Sequence, residues 1–262
     1  PEFGFFKKAF KSIKKVAKKV APVAMFIPGV GSALGALAGG LGTRISEYTK
    51  VIPKPMIKVV GKPIIHRIID HFISYGHKEF YIATGYKGNL IKRYFKEYKF
   101  NKDIKINCID TGKKTMTGGR IKRLKKYLNE EFLLTYGDGL SNVNLDKLIK
   151  FHNKKNKLVT VTAVRPPARF GAIKIIKDKV QYFREKNNLD SGWINGGFFV
   201  VKPKFLNFII GDNTYLEQEP FKKITKNHQL VAFKHKGFWQ CMDTIRDKEI
   251  LEKKVKNKEH LE

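Results

Sequence analysis

The sequence is poor in cysteine and has no histidine pattern typical of a metal site. Its 262 residues include only two cysteines, Cys108 and Cys241, which are far apart. A disulfide framework and a cysteine-based zinc site are therefore excluded, and a reducing cytoplasm is the expected location. Of the seven histidines, His66 and His71 are five positions apart, so they do not share a helix face.

Acidic residues are also scarce. The chain has 23 Asp and Glu against 53 Lys and Arg, which gives a formal net charge of +30. Such an excess is expected of proteins that bind nucleic acid, membrane surfaces or phosphorylated small molecules. Only nine of the cations are arginine, however, and nucleic-acid readers rely on arginine for bidentate contacts. The composition therefore favours a general lysine bias, and we expect no specific nucleic-acid partner.

The sequence lacks a convincing transmembrane span. The stretch from Val20 to Leu41 carries no charge, but Pro22, Pro28 and many Gly and Ala residues lower its hydrophobicity. The residues before it predict a cationic amphipathic helix that ends or kinks at Pro22. Such a helix lies on an anionic membrane surface or packs against the domain or a neighbouring subunit, and the sequence leaves both open. Its apolar stripe consists of Phe6, Phe10, Ile13, Val16, Ala17 and Val20.

Composition divides the chain at residue 33. We expect residues 1–33 to form a cationic N-terminal extension and residues 34–260 to form one α/β domain. Residues 1–3 and 261–262 resemble restriction-site remnants, the latter before a tag, and are left out of the fold prediction.

From residue 34 onward, apolar runs of strand length alternate with segments of helical period. Leu34–Ala38 is predicted as a short first strand, and Ile64–Ile73 carries a helical apolar stripe. Ala172–Ile176 and Val180–Phe183 flank a predicted hairpin turn. This alternation predicts an α/β fold with a mixed, mainly parallel sheet flanked by helices and a small antiparallel hairpin. Further buried strands are predicted at Phe80–Thr84, Phe132–Tyr136, Leu158–Val164 and Phe198–Val201.

The most informative local pattern is a glycine-rich loop, Gly39-Gly40-Leu41-Gly42-Thr43-Arg44, which is followed by Lys54. Glycines let backbone N–H groups approach phosphate oxygens closely. Arg44 and Lys54 can offset the charge of those phosphates. Taken alone, the pattern is equally consistent with a surface turn beside two ordinary cations.

Two aspartates lie in other polar loops. Asp138 follows the predicted strand Phe132–Tyr136, and Asp243 lies in the segment Trp239–Asp243. Ligands of such sheets bind at the carboxyl ends of the strands. Either aspartate alone would more often be a turn or cap residue. Beside a phosphate loop, the pair favours a site for nucleotide-bound Mg²⁺, which needs only one or two protein oxygens.

Nine segments between Leu34 and Leu251 resemble the sugar-1-phosphate nucleotidylyltransferases, in the order that the family has them. Within this family the likeness is greatest to members that use CTP and glucose 1-phosphate. The segments are Gly39–Arg44, Pro53–Met56, Gly85–Gly88, Met116–Arg120, Tyr136–Gly139, Arg169–Gly171, Ile194–Phe199, Glu217–Pro220, and Gly237–Gln240 with Met242–Thr244.

The resemblance implies a Rossmann-like nucleotide-diphospho-sugar transferase fold. It also implies an Mg²⁺-dependent reaction of CTP with glucose 1-phosphate to give CDP-glucose and pyrophosphate, carried out by a homo-oligomer. It implies that the reacting phosphates contact Arg44, Lys54 and Lys186, and that Mg²⁺ is held by Asp138 and Asp243. The sugar phosphate would contact Glu185, Lys186 and Asn195. The nucleotide would contact Leu37, Ala38, Gly39, Gly40, Leu41, Gly42, Thr43, Thr115, Arg120 and Gly137.

The chain departs from the family at its first strand, where the aligned residues Ala33–Ala38 are mostly alanine and glycine, poor residues for a central strand. Two other functions remain open. The same fold could serve a uridylyl- or thymidylyltransferase acting on another sugar 1-phosphate, because base choice depends on a few backbone contacts. The chain could instead be a cationic membrane- or nucleic-acid-binding protein with an impaired transferase domain.

Overall fold

The protein is described by a computed structural model that covers residues 21–26, 45–166, 172–184 and 192–257. The strands are Ala21–Phe26 (β1), Lys58–Val59 (β2), Lys62–Pro63 (β3), Glu79–Thr84 (β4), Lys105–Asp110 (β5), Phe132–Tyr136 (β6), Gly139–Ser141 (β7), Val159–Val164 (β8), Ala172–Ile176 (β9), Lys179–Arg184 (β10), Ile194–Val201 (β11), Leu230–Lys234 (β12) and Trp239–Cys241 (β13). The α-helices are Ser46–Val51 (α1), Ile64–Ser74 (α2), Gly88–Glu97 (α3), Thr117–Arg123 (α4), Leu145–Lys155 (α5), Glu219–Lys226 (α6) and Ile245–Lys256 (α7), with 3-10 turns at Lys54–Met56, Lys125–Tyr127 and Pro203–Phe208.

Seven of these strands form one sheet in the order β12-β8-β11-β6-β1-β4-β5. β1 runs parallel to β4 and to β6, β4 runs parallel to β5, and β8 runs parallel to β12. β11 is antiparallel to both of its neighbours, β6 and β8. The predicted fold class, a mixed and mainly parallel sheet flanked by helices, is confirmed.

The position of the first strand differs from the sequence-based expectation. β1 lies inside the sheet, between β6 and β4, whereas the sequence indicated an extension through residue 33 and a first strand at Leu34–Ala38. The expected boundary is therefore corrected, because part of the segment before it completes the sheet. Pro22, expected to end or kink a helix, is the second residue of this strand; it has no N–H, and the register with β6 shifts there. Leu34–Ala38 and residues 4–20 lie outside the described residues.

The side chains of β1 alternate between two apolar layers, one on each face of the sheet. Val23 and Met25 belong to one layer, and Ala24 and Phe26 belong to the other. This is the period of two that a strand imposes. Helices α2, α3, α5 and α7 pack on the first face, and α4 and α6 pack on the second. The apolar stripe predicted for α2 is confirmed, with Ile64, Ile65, Ile68, Ile69 and Phe72 at most 1% exposed.

Small antiparallel pairs complete the fold. β9 and β10 form the predicted hairpin, with the turn at Lys177 and Asp178. β7 pairs with β13, which joins two segments that are about 100 positions apart in the chain. Of the helices in the described ranges, none is both long and apolar enough to cross a bilayer.

Candidate active site

Asp138 and Asp243 are brought to one place by the pairing of β7 with β13. Asp138 lies between β6 and β7, and Asp243 follows β13 after one residue. The Met242 N–H donates to the Asp138 carbonyl at 3.0 Å, which extends the pairing up to the two aspartates. The Gly137 N–H donates to the Phe26 carbonyl at 3.2 Å, so the loop also continues the pairing of β6 with β1. The predicted convergence of the two carboxylates is therefore present in the structure.

Lys54 lies between the two carboxylates. Its Nζ is 2.7 Å from Asp138 Oδ2 and 2.7 Å from Asp243 Oδ1. The lysine begins a 3-10 turn that Pro53 introduces, and the next residue, Pro55, packs against Gly137. A Cβ on Gly137 would come within 3.3 Å of the Pro55 ring, so glycine permits this close approach. One cation thus bridges two anions from separate parts of the sequence.

The electrostatics of this group favour a charged lysine. Burial opposes the charge of the ammonium, but the two adjacent carboxylates outweigh burial and raise the pKa of Lys54 above its ordinary value. The side chains of Lys54 and Asp138 are 18% and 13% exposed, and that of Asp243 is 32% exposed. Water reaches the group chiefly at Asp243, which marks the open side of the site.

Asp243 is held in place by the first turn of α7. Asp247 Oδ2 accepts hydrogen bonds from the backbone N–H groups of Asp243 at 3.1 Å and Thr244 at 2.9 Å. The Thr244 hydroxyl accepts from the Asp247 N–H, which completes a capping box. Gln240 donates to the other carboxylate oxygen of Asp247 at 3.3 Å. The backbone conformation at Asp243 is therefore fixed by the buried carboxylate of Asp247, which caps α7.

Cys241 contacts the same aspartate. Its Sγ is 3.1 Å from Asp243 Oδ2. Burial, and then the negative charge of Asp243 and Asp138, raises the pKa of the Cys241 thiol well above its ordinary value. The group stays a thiol at neutral pH, so it acts as a hydrogen-bond donor and not as a nucleophilic thiolate.

Arg120 and Thr115, both predicted to contact the nucleotide, are buried beside the ends of β4 and β5. Arg120 Nη1 donates to the Thr84 carbonyl at 2.9 Å and to Thr111 Oγ1 at 2.8 Å. Burial lowers the pKa of Arg120. A Cβ on Gly85 would lie 2.5 Å from Arg120 Nη1, which explains the glycine there. These hydrogen bonds engage strand ends, and they bring Arg120 into contact with neither Lys54 nor the aspartates.

Asn195, predicted to contact the sugar phosphate, is engaged by a network that the sequence did not reveal. Its Nδ2 donates to the Tyr136 hydroxyl at 3.0 Å, and its Oδ1 accepts from the Gly197 N–H at 2.8 Å. The Tyr136 hydroxyl in turn donates to Glu217 Oε1 at 2.7 Å. Tyr136 and Glu217 both lie in the family-like segments, which was the available signal for them, but that signal assigned them no role.

The remaining predicted site residues fall in two groups. Leu37–Thr43, Arg44, Glu185 and Lys186 lie outside the described residues. Among the predicted residues that are described, Lys54 contacts both Asp138 and Asp243, and Gly137 adjoins Asp138.

The carboxylate pair fits a hard divalent cation. Two anionic oxygen donors converge on one position, where the ammonium of Lys54 now stabilises their charge. Carboxylate oxygens suit Mg²⁺, which keeps waters and substrate phosphates as its other ligands. Within the described ranges no cluster of three or more His, Cys, Asp or Glu side chains could hold a metal. A two-carboxylate site completed by phosphates is therefore the arrangement that the residues fit.

Comparison with known proteins identifies the family of the chain. A family model described as nucleotidyl transferase matches residues 36–247. The chain belongs to the nucleotidyl transferase family. The resemblance to sugar-1-phosphate nucleotidylyltransferases is thereby confirmed. The matched range contains Lys54, Asp138 and Asp243, and it begins after β1.

Curated relatives of high similarity carry consistent names. The chain is 44% identical over 238 residues to the glucose-1-phosphate cytidylyltransferase of Salmonella typhimurium, covering 82% of this chain and 93% of the relative. It is 40% identical over 232 residues to the probable glucose-1-phosphate cytidylyltransferase of Bacillus subtilis, covering 80% and 91%. A mannose-1-phosphate guanylyltransferase of Arabidopsis thaliana is 29% identical over 220 residues, covering 80% of this chain and 61% of that protein.

Solved structures share the fold at lower sequence identity. HddC from Yersinia pseudotuberculosis, complexed with GMP-PN, aligns with a TM-score of 0.66 at 22% identity, covering 89% of this chain and 99% of that chain. UDP-glucose pyrophosphorylase complexed with UDP-glucose aligns with a TM-score of 0.64 at 17% identity, covering 91% and 100%. These likenesses support the nucleotide-diphospho-sugar transferase fold.

Proposed function

We infer that the protein transfers a cytidylyl group from CTP to glucose 1-phosphate, which forms CDP-glucose and pyrophosphate. The observation that carries this inference is the convergence of Lys54, Asp138 and Asp243 at the end of the central sheet. The choice of CTP and glucose 1-phosphate is supported by the names of the relatives at 44% and 40% identity.

The reaction forms one P–O bond and breaks another. A phosphate oxygen of glucose 1-phosphate attacks the α-phosphorus of CTP, and the bond from that phosphorus to the bridging oxygen of the β-phosphate breaks as pyrophosphate leaves. A phosphate monoester is already largely ionised at neutral pH, since its second pKa is about 6. The attacking oxygen therefore needs no general base, and the main obstacle is the repulsion between two polyanions.

Lys54 and the two aspartates would reduce that repulsion by bringing positive charge to the phosphates. Asp138 and Asp243 would hold a divalent cation, proposed to be Mg²⁺, which when bound neutralises charge on the phosphates. Lys54 carries a stable positive charge at the same place and would place its ammonium against phosphate oxygens. Preorganised charges of this kind provide much of the acceleration in such reactions.

The other predicted contacts are part of the same proposal. Leu37–Thr43, Thr115, Arg120 and Gly137 would bind the nucleotide, and Arg44 and Lys186 would contact the reacting phosphates. Glu185, Lys186 and Asn195 would bind the sugar phosphate. We further propose that the enzyme is a cytoplasmic homo-oligomer. In this proposal the N-terminal extension predicted over residues 4–33 contacts a membrane surface or a neighbouring subunit through the part of it that lies outside β1.

A pyrophosphate-release assay tests the substrate assignment. The purified protein is incubated with glucose 1-phosphate and CTP, UTP, dTTP or ATP, each with and without Mg²⁺. We expect release with CTP that requires the metal. Release with UTP but not CTP would replace the proposal with a uridylyltransferase, and no release with any nucleotide would support the binding-protein alternative.

A further inference from the structure

The Tyr136 hydroxyl joins two polar side chains that come from distant parts of the sequence. It accepts a hydrogen bond from Asn195 Nδ2 at 3.0 Å and donates one to Glu217 Oε1 at 2.7 Å. The tyrosine ends β6, two residues before Asp138, whereas Asn195 lies on the antiparallel neighbour β11. Glu217 precedes α6. The three side chains link the strand end that precedes Asp138, a proposed metal ligand, to a residue proposed to bind the sugar phosphate.

Each hydrogen bond in this network has a defined donor and acceptor. A carboxylate can only accept, so the Tyr136 hydrogen must go to Glu217, and the tyrosine oxygen is left to accept from Asn195. Glu217 Oε2 accepts from the Thr117 hydroxyl at 2.9 Å, and that hydroxyl accepts from the Leu216 N–H at 2.9 Å. Both paths, from Asn195 through Tyr136 and from Leu216 through Thr117, therefore end at the Glu217 carboxylate.

The same network fixes the amide of Asn195. The Gly197 N–H donates to Asn195 Oδ1 at 2.8 Å, so a flipped amide would bring two donors together at this contact. It would also bring the amide oxygen to Tyr136, whose hydrogen is already given to Glu217. The amide nitrogen carries two hydrogens, and Tyr136 engages one of them. The second can be offered to an oxygen of a bound ligand.

The Tyr136 ring is held in place by its neighbours: its centroid is 4.7 Å from that of Phe26 and 5.7 Å from that of Phe199. A Cβ on Gly197 would come within 2.7 Å of the ring, so the glycine permits the ring to occupy this position.

We propose that Tyr136 and Glu217 are positioning residues that orient the Asn195 amide so that it donates an N–H to an oxygen of the sugar phosphate. They determine affinity for the sugar phosphate and not for the nucleotide. This inference rests on the proposed function, because it takes Asn195 as a contact of the sugar phosphate.

The test is Tyr136→Phe, which removes the hydroxyl and keeps the ring. Steady-state pyrophosphate release is measured while glucose 1-phosphate and CTP are varied separately. We expect the KM for glucose 1-phosphate to rise roughly tenfold, as expected for one lost orienting hydrogen bond, with less than about twofold change in the KM for CTP. Circular dichroism melting verifies that the variant is folded.

Tyr81→Phe is the matched control. The Tyr81 hydroxyl also donates to a glutamate, Glu79, at 2.9 Å, and its ring stacks on Tyr127. Tyr81 lies on β4, which is three strands from β11 in the sheet. The same chemical change at this position should leave both KM values as in the unsubstituted protein.

The same measurement in the Asn195→Ala background separates positioning from direct contact. If Tyr136 acts through Asn195, removing its hydroxyl has no further effect once the amide is gone. An equal rise in both backgrounds would overturn the proposal, as would a change confined to kcat or to the KM for CTP. If Tyr136→Phe does not fold, Glu217→Gln replaces it, with an expected rise of several-fold in the same KM, since a neutral partner binds the tyrosine proton less strongly.

These outcomes distinguish the inference from the proposed function. Normal turnover of CTP and glucose 1-phosphate with an unchanged KM in the variant would overturn the positioning role and leave the transferase assignment intact. A failure of the unsubstituted protein to release pyrophosphate from these substrates would overturn both.

Discussion

Lys54 and Asp138 are 84 positions apart in the sequence, and the lysine Nζ lies 2.7 Å from Asp138 Oδ2. The same ammonium is equally close to Asp243, which is 189 positions from the lysine. The lysine therefore stabilises the charge of both carboxylates. In the proposed reaction the same ammonium would also face the phosphates, and a divalent cation held by the two aspartates would balance their charge.

The first prediction concerns Lys54→Met, which removes the charge and keeps most of the side-chain volume. We expect turnover to fall by about 10²-fold or more, as for loss of one preorganised charge partner. The two carboxylates would also be left without their shared cation, at a cost of about 2 kcal/mol in the free energy of unfolding. Turnover and urea unfolding measure the two effects.

Lys62→Met is the matched control for that variant. Lys62 Nζ is 3.1 Å from Asp70, and both side chains are more than 40% exposed. Exposed ion pairs contribute little to stability because water and salt screen them. We therefore expect the free energy of unfolding to fall by less than about 0.5 kcal/mol and turnover to be unchanged. Near-normal turnover in Lys54→Met would be inconsistent with the assigned role of the lysine.

The second prediction concerns Asp247, which caps α7 and fixes the backbone at Asp243. Asp247→Ala removes the acceptor for two backbone N–H groups and for the Thr244 hydroxyl. We expect a loss of about 2 kcal/mol in unfolding free energy together with a fall in kcat, because Asp243 is no longer held at its position. Asn144→Ala is the control, because Asn144 caps α5 by accepting a hydrogen bond from the Lys147 N–H. This substitution should lower the free energy of unfolding by about 1 kcal/mol and leave kcat unchanged.

Local sequence patterns predicted much of the fold correctly. The apolar stripe of Ile64–Ile73 and the buried runs of Phe80–Thr84 and Phe132–Tyr136 correspond to α2, β4 and β6. These elements have a single strong period, so neighbours along the chain suffice to define them. β1 was not predicted, because Pro22 and the lysines before it are also typical of a helix end.

The arrangement of the site depends on contacts that no local pattern contains. Trp239–Cys241 is a short strand whose partner, β7, lies about 100 residues earlier, and this pairing brings Asp243 to Asp138. The sequence indicated that Lys54 serves the phosphates, but not that it bridges both aspartates. Likewise the direction of each proton between Tyr136 and Glu217 could be assigned only from the distances in the folded chain.

A third prediction concerns the loss of folding stability at acidic pH. His77 is 7% exposed; burial, and secondarily the nearby His71, lowers its pKa from 6.5 to about 4. The unfolded chain therefore binds a proton at this residue between about pH 6.5 and 4 that the folded chain does not. The contribution of His77 to the free energy of unfolding is fully present above pH 6.5 and decreases as the pH falls. At pH 4 the loss is roughly 3 kcal/mol.

Urea unfolding of the unsubstituted protein and of His77→Gln at pH 7.5 and pH 5 measures this contribution. We expect the loss of stability between the two pH values to be smaller in the variant, because glutamine does not titrate. An identical loss in both proteins would show that His77 does not contribute to the acid sensitivity.

Asp138 and Asp243 are the residues on which the proposed transfer depends most, and direct metal binding tests them without relying on turnover. Mn²⁺, used in place of Mg²⁺, is titrated by electron paramagnetic resonance into the protein with CTP, and CTP alone gives the baseline. We predict one Mn²⁺ site that Asp138→Asn and Asp243→Asn each weaken by about tenfold or more, while Asp103→Asn, in an exposed ion pair with Lys78, leaves it unchanged. Equal Mn²⁺ affinity in the unsubstituted protein and in both site variants would contradict the assignment.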